Sequence, residues 1–375
     1  MIAYVTYEEY PDGSPGAIRG KSFVDTLRSI GKDTIVLHRG EMSSNEHPKI
    51  ISLFSRNRWN KFLFYSCRVI YQLEKLRKSD NLEAVIIYSS GTIVGLWLIL
   101  HWCYFFKIPV IKDVVEWYSK EQFKYGVFSF NYILKNIENR YIIDENVRVI
   151  AISSYLYNYY KGKGCKTTQI PIIKNIDRKD IQQNLDDNRP CSFIYAGSHL
   201  KMDNIPLVLF AFASLSDNVL KKVRFDIYGL SQESIEDVVG KDLLSKLSGS
   251  VFIHGRVPNS EVIENYKTTD FCLLFRNPEL RVNKAGFPSK VIESMSMGVT
   301  IFGNYSSDLS EFLRDGENSI IVSELNVSEI AHKIADVAKM SREMINTLKI
   351  NAFNTVKDNF SELNFQNNFL EILNP

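Results

Sequence analysis

Strand-like runs rich in apolar residues alternate with amphipathic stretches along the first half of the chain. The apolar runs have the length of β-strands, and they lie at 2–7, 34–38, 84–88, 109–115 and 147–153. Stretches with helical spacing of apolar residues lie at 20–30, 94–106 and 154–161. Continuous apolar strands separated by helices predict βαβ units, in which helices cover both faces of a parallel sheet.

A polar run at 178–190, rich in Asp, Asn and Gln, interrupts this alternation and ends in Pro190. We interpret it as a linker between two domains. The strand pattern then resumes at 192–196, 223–228, 251–254, 271–275, 299–302 and 320–322. An amphipathic helix is predicted at 354–373. The sequence therefore predicts two successive Rossmann-like domains.

Composition and charge narrow the functional classes. A chain of 375 residues is long enough for two domains. The formal net charge of +2 gives no reason to expect a nucleic-acid partner. Five scattered cysteines without Cys-x-x-Cys spacing favour a reducing, cytoplasmic compartment. No signal peptide and no membrane-spanning segment are expected.

The stretch 284–298 carries the strongest candidate chemistry. Gly286 allows the backbone to approach a ligand closely, and Pro288 suits the first turn of a helix. A helix that begins there directs free N–H groups toward a phosphate. Glu293 follows about one turn later, where its carboxylate can accept hydrogen bonds from a ribose diol.

This stretch resembles the donor-nucleotide signature of retaining glycosyltransferases with the GT-B fold, in particular glycosyltransferase family four. That signature has two glutamates separated by seven residues and then a small-residue-rich helix ending in Gly. Glu293 matches the second glutamate and Gly298 the glycine, whereas Ala285 replaces the first, sugar-contacting glutamate. The segment Phe287-Pro288-Ser289-Lys290 resembles the corresponding segment of transferases that act on surface polysaccharides.

The resemblance implies a GT-B fold, an α/β architecture of two Rossmann-like domains facing each other across a cleft. Residues 1–180 would form an acceptor-binding domain and residues 190–353 a nucleotide-sugar-binding domain. Residues 354–375 would form a helix crossing back to the first domain. The implied reaction transfers a sugar from a nucleotide diphosphate sugar, UDP-linked rather than GDP-linked, to a saccharide or lipid-linked saccharide with retained configuration.

Several residues at predicted strand ends match the donor-binding positions of such transferases. Lys201 and Lys290 are expected to bind the diphosphate and assist catalysis, because fixed cations stabilise a departing diphosphate. Glu279 is a candidate substitute for the missing glutamate. The remaining expected donor contacts are Gly197, Gly229, Arg256, Val257, Arg276, Gly286, Phe287, Pro288, Ser289 and Glu293.

In the first domain, a long loop rich in Gly and Pro follows the first strand. Gly16 is expected to allow close approach to the donor, and Arg19 to reach an anion. Asp113 and Glu116 follow a later strand beside aromatic residues, and one of them is a candidate for orienting or deprotonating the acceptor hydroxyl. Whether a dedicated base exists stays open, since the leaving diphosphate is thought to take the proton in retaining members.

The stretch 56–78 mixes basic and aromatic residues, a pattern that predicts either a peripheral contact with an anionic membrane or a core-facing helix with a basic edge. The apolar stretch 96–106 is interpreted as a buried helix.

The sequence lacks the motifs of several other enzyme and cofactor-binding classes. The chain has no Asp-x-Asp, no metal-spaced His/Cys cluster, no Walker A loop and no G-x-G-x-x-G, so neither a metal nor a cofactor is expected. Two alternatives stay open: a GT-B nucleotide-sugar epimerase, and a catalytically inactive nucleotide-sugar-binding partner, which the replacement by Ala285 would explain.

Overall fold

The structure, a computed structural model, describes residues 1–11, 14–40, 49–53, 64–79, 81–176 and 189–374. The chain divides into two compact units. Unit 1 comprises Met1–Ile173, Lys284–Phe287 and Glu362–Pro375, and unit 2 comprises Lys174–Asn283 and Pro288–Ser361. Most of the stretch 178–190, interpreted above as a linker, lies outside the described residues.

Unit 1 contains a seven-stranded parallel sheet in the order β3-β2-β1-β4-β5-β6-β7. Its strands are β1 Ile2–Thr6, β2 Thr34–His38, β3 Ile50–Ser52, β4 Ala84–Ile87, β5 Val110–Val114, β6 Arg148–Ala151 and β7 Thr167–Gln169. All residues of β1, β2, β4 and β5 are buried, which is why β1, β2 and β4 are mainly apolar in the sequence, whereas β5 contains the buried charged residues Lys112 and Asp113. The short strands β3 and β7 at the two edges were not predicted.

The helices between these strands are α1 Pro15–Ser29, α2 Tyr65–Ser79, α3 Ile93–Phe105, α4 Phe130–Ile137 and α5 Ser154–Gly162. The helix predicted at 20–30 begins earlier, at Pro15, because Ser14 accepts a hydrogen bond from the N–H of Ala17 and Pro15 occupies the first turn. Gly16 therefore lies within a helix and not in a loop.

Unit 2 contains a six-stranded parallel sheet in the order β10-β9-β8-β11-β12-β13, the order of a doubly wound Rossmann-like domain. Its strands are β8 Cys191–Ala196, β9 Val223–Tyr228, β10 Val251–Gly255, β11 Phe271–Leu274, β12 Thr300–Gly303 and β13 Ser319–Ile321. The prediction of two parallel-sheet, Rossmann-like domains is confirmed.

The later helices are α6 Ile205–Ala213, α7 Asp217–Leu220, α8 Gln232–Val239, α9 Lys241–Leu247, α10 Asn259–Thr268, α11 Arg281–Ala285, α12 Ser289–Met295, α13 Val327–Val337, α14 Arg342–Asn359 and α15 Gln366–Leu373. The stretch predicted as one helix at 354–373 is interrupted, since α14 ends at Asn359 and α15 packs with unit 1. Among the described helices, none combines the length and apolarity needed to cross a bilayer.

Candidate nucleotide-sugar site

Two glycines bring the backbones of adjacent strand ends together in unit 2. The N–H of Gly197, just after β8, donates to the carbonyl of Tyr228 at 3.1 Å. Gly229, just after β9, has a φ of +89°, and a Cβ there would lie 2.5 Å from the carbonyl oxygen of Gly197. Only glycine fits this position without displacing backbone. These strand ends border the point where the strand order reverses, which is where open α/β sheets bind ligands.

A pocket of 250 Å³ lies at these strand ends, and we call it the strand-end pocket. Its lining includes six of the residues predicted from the sequence, namely Gly197, Gly229, Arg256, Val257, Lys290 and Glu293. The other lining residues, which the sequence did not single out, are Ala196, Tyr228, Asn259, Val262 and Tyr266.

Helix α12 supplies two of the three charged side chains that line the strand-end pocket, the third being Arg256. Lys290 and Glu293 are three residues apart and therefore lie on the same side of the helix. Val291, Ile292 and Met295 are buried and fix the opposite side in the core. Pro288 occupies the N-cap position just before the helix, close to where the sequence placed the helix start.

A buried carboxylate, Asp203, holds the cations near this pocket. Its Oδ2 lies 2.7 Å from Nζ of Lys290, and its Oδ1 lies 2.9 Å from Nε of Arg276. Burial by itself would raise the pKa of Asp203, but Lys290 and Arg276 together lower it to about 2. Asp203 is therefore ionised at neutral pH, and the three groups carry a net charge of about +1.

Tyr195 completes this arrangement. Its hydroxyl donates to Oδ2 of Asp203 at 2.9 Å, and its ring lies 4.3 Å from Nζ of Lys290, a cation–π distance. Lys290 is thus fixed from two sides. Sequence reasoning missed Asp203 and Tyr195, because an ion pair between positions 203 and 290 leaves no local signal in a single sequence.

Glu293 is half-buried in the pocket wall. Burial raises the pKa of its carboxyl group, and the charges of Lys174 and Lys290 offset part of that shift. A carboxylate in such a place gains from hydrogen-bond donors that a ligand brings, because burial weakens its solvation.

The ring of Tyr228, which lines the pocket, is held by a neighbouring pair. His254 stacks on it with 4.3 Å between the ring centroids and 7° between the planes. Nε2 of His254 lies 2.7 Å from Oδ1 of Asp226. His254 therefore supports an aromatic wall of the pocket.

Several predicted donor contacts lie elsewhere. Lys201 and Glu279 are exposed and do not line the pocket. Gly286, Phe287, Pro288 and Ser289 are also outside its lining, and Phe287 is buried. Ala285 is fully buried, and its carbonyl accepts a hydrogen bond from Oγ of Ser153 at 2.8 Å.

In unit 1, Arg19 and Asp113 form a buried bidentate ion pair. Nε and Nη2 of Arg19 lie 2.8 and 2.9 Å from the two carboxylate oxygens. Arg19 also donates to the carbonyl of Ile170, and only 4% of its surface is exposed. Both groups are engaged with each other, so we assign them a structural role and leave them out of the proposed site. Gly16 likewise makes room for the side chain of Tyr88, whose hydroxyl would lie 2.5 Å from an added Cβ.

Glu116 lines a larger pocket of 840 Å³ at the carboxyl ends of β1, β4 and β5, which we call the unit 1 pocket. Oε1 of Glu116 accepts a hydrogen bond from the hydroxyl of Tyr118 at 2.8 Å. Nζ of Lys135 lies 3.3 Å from Oε1 of Glu138 and 4.0 Å from Oε1 of Glu116. The wall also carries small hydroxyl side chains and tyrosines, including Tyr7, Tyr88, Ser89, Ser90 and Thr92.

Comparison with known protein families finds a match over most of unit 2. Residues 176–355 match the family described as Glycosyl transferases group 1, and this segment contains the whole strand-end pocket. No protein of curated function matches the chain by sequence.

Solved structures match nearly the whole chain. A glycosyltransferase from Rickettsia africae ESF-5 aligns with a TM-score of 0.68 and 17% identity, covering 99% of this chain and 97% of that one. Anabaena Alr3699/HepE, solved with UDP and glucose, aligns with a TM-score of 0.67 and 14% identity, covering 99% and 98%. WaaG, a glycosyltransferase involved in lipopolysaccharide biosynthesis, aligns with a TM-score of 0.67 and 11% identity, covering 100% and 99%.

These likenesses establish the GT-B fold. Together with the matched domain, they support a glycosyltransferase.

Proposed function

We propose that this protein transfers a sugar from a nucleotide diphosphate sugar to a saccharide acceptor, with retained configuration and without a metal. The observation that carries the proposal is the joint placement of Lys290 and Glu293 on one side of α12, at a pocket floored by Gly197 and Gly229. UDP is favoured over GDP as the nucleotide, since structurally similar HepE was solved with UDP.

The cations supply the diphosphate contact. Lys290 offers three N–H donors, and its pairing with Asp203 leaves others for phosphate oxygens. Arg276 adds a second cation nearby. Because Asp203 and Tyr195 already hold Lys290, little side-chain entropy is lost when a ligand binds. Fixed cations also stabilise the charge that develops on the leaving diphosphate, which lowers the barrier to transfer.

We assign the ribose to Glu293 and the base to the wall formed by Tyr228, Arg256 and Val257. Helix α12 has only seven residues, so the proposal rests on its side chains more than on its dipole. Lys201 is not needed for this arrangement.

On the acceptor side, we propose that Glu116 in the unit 1 pocket orients or deprotonates the acceptor hydroxyl. The hydroxyl of Tyr118 would orient the Glu116 carboxylate. The hydroxyl and aromatic lining suits a neutral saccharide, since hydroxyls exchange hydrogen bonds and rings stack on the C–H faces of sugars. We further propose that the acceptor is a lipid-linked saccharide in surface polysaccharide synthesis at the cytoplasmic membrane face. The similarity to WaaG supports this choice.

The decisive experiment is calorimetric titration of UDP, GDP, ADP and CMP into the wild type, Glu293→Ala and Glu233→Ala. We expect UDP to bind the wild type and Glu293→Ala to weaken it by about 1.5–3 kcal/mol, as for a hydrogen bond to a charged group. Glu233, exposed on α8, is the matched control and should not affect binding. If no nucleotide binds, or if the two variants behave alike, the assignment of the strand-end pocket is wrong.

Ala285 motivates a second candidate, a nucleotide-sugar-binding protein that does not turn its ligand over. A buried alanine stands where a sugar-contacting carboxylate is expected from the resemblance. Release of UDP from a panel of UDP-sugars, with and without membrane extracts as acceptor, separates the two candidates. UDP binding without any acceptor-dependent release would favour the inactive protein.

A further inference from the structure

Unit 1 exposes a cluster of large apolar side chains between residues 123 and 133, which we call the aromatic segment. Phe128 is 82% exposed, Phe130 71% and Tyr125 70%. Val127 and Ile133 of the same segment are also exposed. Isolated exposed apolar residues are ordinary, whereas a contiguous group of them marks an interaction surface.

The backbone of the aromatic segment is ordered by its own hydrogen bonds. The N–H of Phe128 donates to the carbonyl of Tyr125 at 3.0 Å within a 3₁₀ turn, and α4 begins two residues later. None of the residues of α4 is buried. The local structure therefore fixes these side chains at the surface of unit 1.

Lysines outnumber carboxylates at the exposed start of this surface. Lys120 and Lys124 are exposed there, with the exposed Glu121 between them. No acidic residue lies between Glu121 and Glu138, and Lys135, the other lysine of that interval, is paired with Glu138. Aromatic side chains flanked by lysines fit the interfacial region of an anionic bilayer, where rings enter the headgroup layer and ammonium groups meet lipid phosphates. We infer that the aromatic segment docks unit 1 peripherally on an anionic lipid membrane.

Helix α2 belongs to the stretch 56–78, for which the sequence left open a membrane contact or a core-facing helix with a basic edge, and it is a weaker candidate over its described residues. Tyr71 is 70% exposed there, but Glu74 pairs with Arg77 at 2.8 Å and with Lys78 at 3.1 Å. These pairs neutralise part of the basic edge. The part of the stretch 56–78 before residue 64 lies outside the described residues.

The aromatic segment adjoins the unit 1 pocket, and this position suggests what membrane docking would achieve. Phe130 also lines the unit 1 pocket, together with Val94 from the start of α3, which is 62% exposed. A membrane in contact with the segment would therefore lie beside this pocket. A sugar carried on a lipid could then enter the pocket while its tail stays in the bilayer. This use rests on the proposed function, whereas the docking itself does not.

Sedimentation with vesicles tests the docking. The proteins are the wild type, the triple variant Tyr125→Ser/Val127→Ser/Phe128→Ser, and the control Tyr71→Ser/Leu363→Ser. Tyr71 and Leu363 are about as exposed as the substituted residues, but they lie outside the segment. We expect the wild type and the control to sediment with vesicles of phosphatidylcholine and phosphatidylglycerol, and more weakly with phosphatidylcholine alone. The triple variant should lose at least tenfold in partition.

The inference is overturned if the wild type stays in the supernatant, or if the triple variant sediments like the wild type. It is also overturned if light scattering shows that the triple substitution abolishes self-association while vesicle binding is unchanged, since the occupant would then be a second copy. UDP titration of the same proteins measures separately whether the strand-end pocket of unit 2 binds its nucleotide. Loss of vesicle binding with intact UDP binding supports the docking surface, and absence of UDP binding in the wild type counts against the proposed function alone.

Discussion

Asp203 determines how the cations of the strand-end pocket are held. Its side chain is 2% exposed and is paired with both Lys290 and Arg276. Removing one partner of a buried ion pair leaves the other charge uncompensated, which costs about 3–5 kcal/mol. Asp203→Asn should therefore destabilise unit 2 at neutral pH by an amount near the lower end of that range, because Arg276 and Lys290 keep some contact with solvent.

The pH dependence of this effect has a definite sign. The pKa of Asp203 is lowered from 3.8 to about 2 in the folded state, so its stabilising contribution is present above pH 4 and is lost as the pH falls toward 2. The loss amounts to on the order of 2 kcal/mol. Urea denaturation between pH 5 and 2, followed by circular dichroism, should show a smaller acid-dependent loss for Asp203→Asn than for the wild type. Asp217→Asn, at an exposed position, is the control; identical slopes for all three proteins would contradict the assignment.

The loops that follow β8 and β9 depend on Gly229. An alanine there would adopt a φ of +89° and place its Cβ 2.5 Å from the carbonyl of Gly197. Gly316 has a φ of +72° but open space around it, so Gly316→Ala isolates the backbone strain, about 1–2 kcal/mol. We expect Gly229→Ala to cost more than Gly316→Ala in urea denaturation and to weaken UDP binding at least tenfold. Equal stability and unchanged UDP affinity in the two variants would show that the loops tolerate the added methyl group.

The strands of unit 2 were predictable because each contains a short apolar run: β8, β11, β12 and β13 are almost entirely buried, whereas β9 and β10 also contain an exposed residue. The prediction at 223–228 matches β9, Val223–Tyr228, and the others differ by a residue or two. The start of α1 was missed, because the glycines and prolines around Gly16 were interpreted as a loop although Ser14-Pro15 is a capping signal. Edge strands such as β3, Ile50–Ser52, are too short to give a periodic pattern.

The lining of the candidate site was predictable from strand ends and from the stretch 284–298. Gly197 and Gly229 were expected at strand ends and Glu293 from the resemblance of that stretch, and all three line the strand-end pocket. Asp203 and Tyr195 were not predicted, because Lys290 and Arg276, with which they interact, are distant in the sequence. The ion pair between Arg19 and Asp113 could not be predicted for the same reason.

Unit 1 is completed by a segment that follows unit 2 in the sequence. Nη1 of Arg148 donates to the carbonyls of Ile372 and Leu373 at 2.9 and 2.7 Å. Asn368 of α15 donates to Oγ1 of Thr168 at 3.0 Å. The stability of unit 1 therefore depends on residues 362–374, although the strand-end pocket belongs to unit 2.

Phe369 tests this dependence, because its fully buried ring packs edge-on against Phe23 at 4.9 Å. Phe369→Ala should destabilise unit 1 by about 3–5 kcal/mol through the cavity that it leaves. All four tryptophans lie at or before residue 117, so tryptophan fluorescence during urea denaturation follows unit 1. Leu370→Ala, at a neighbouring position that is 37% exposed, should shift the midpoint far less. UDP affinity in native buffer should be the same for both variants. Equal midpoints would mean that α15 does not stabilise unit 1, and a loss of UDP binding in Phe369→Ala alone would mean that α15 contributes to unit 2.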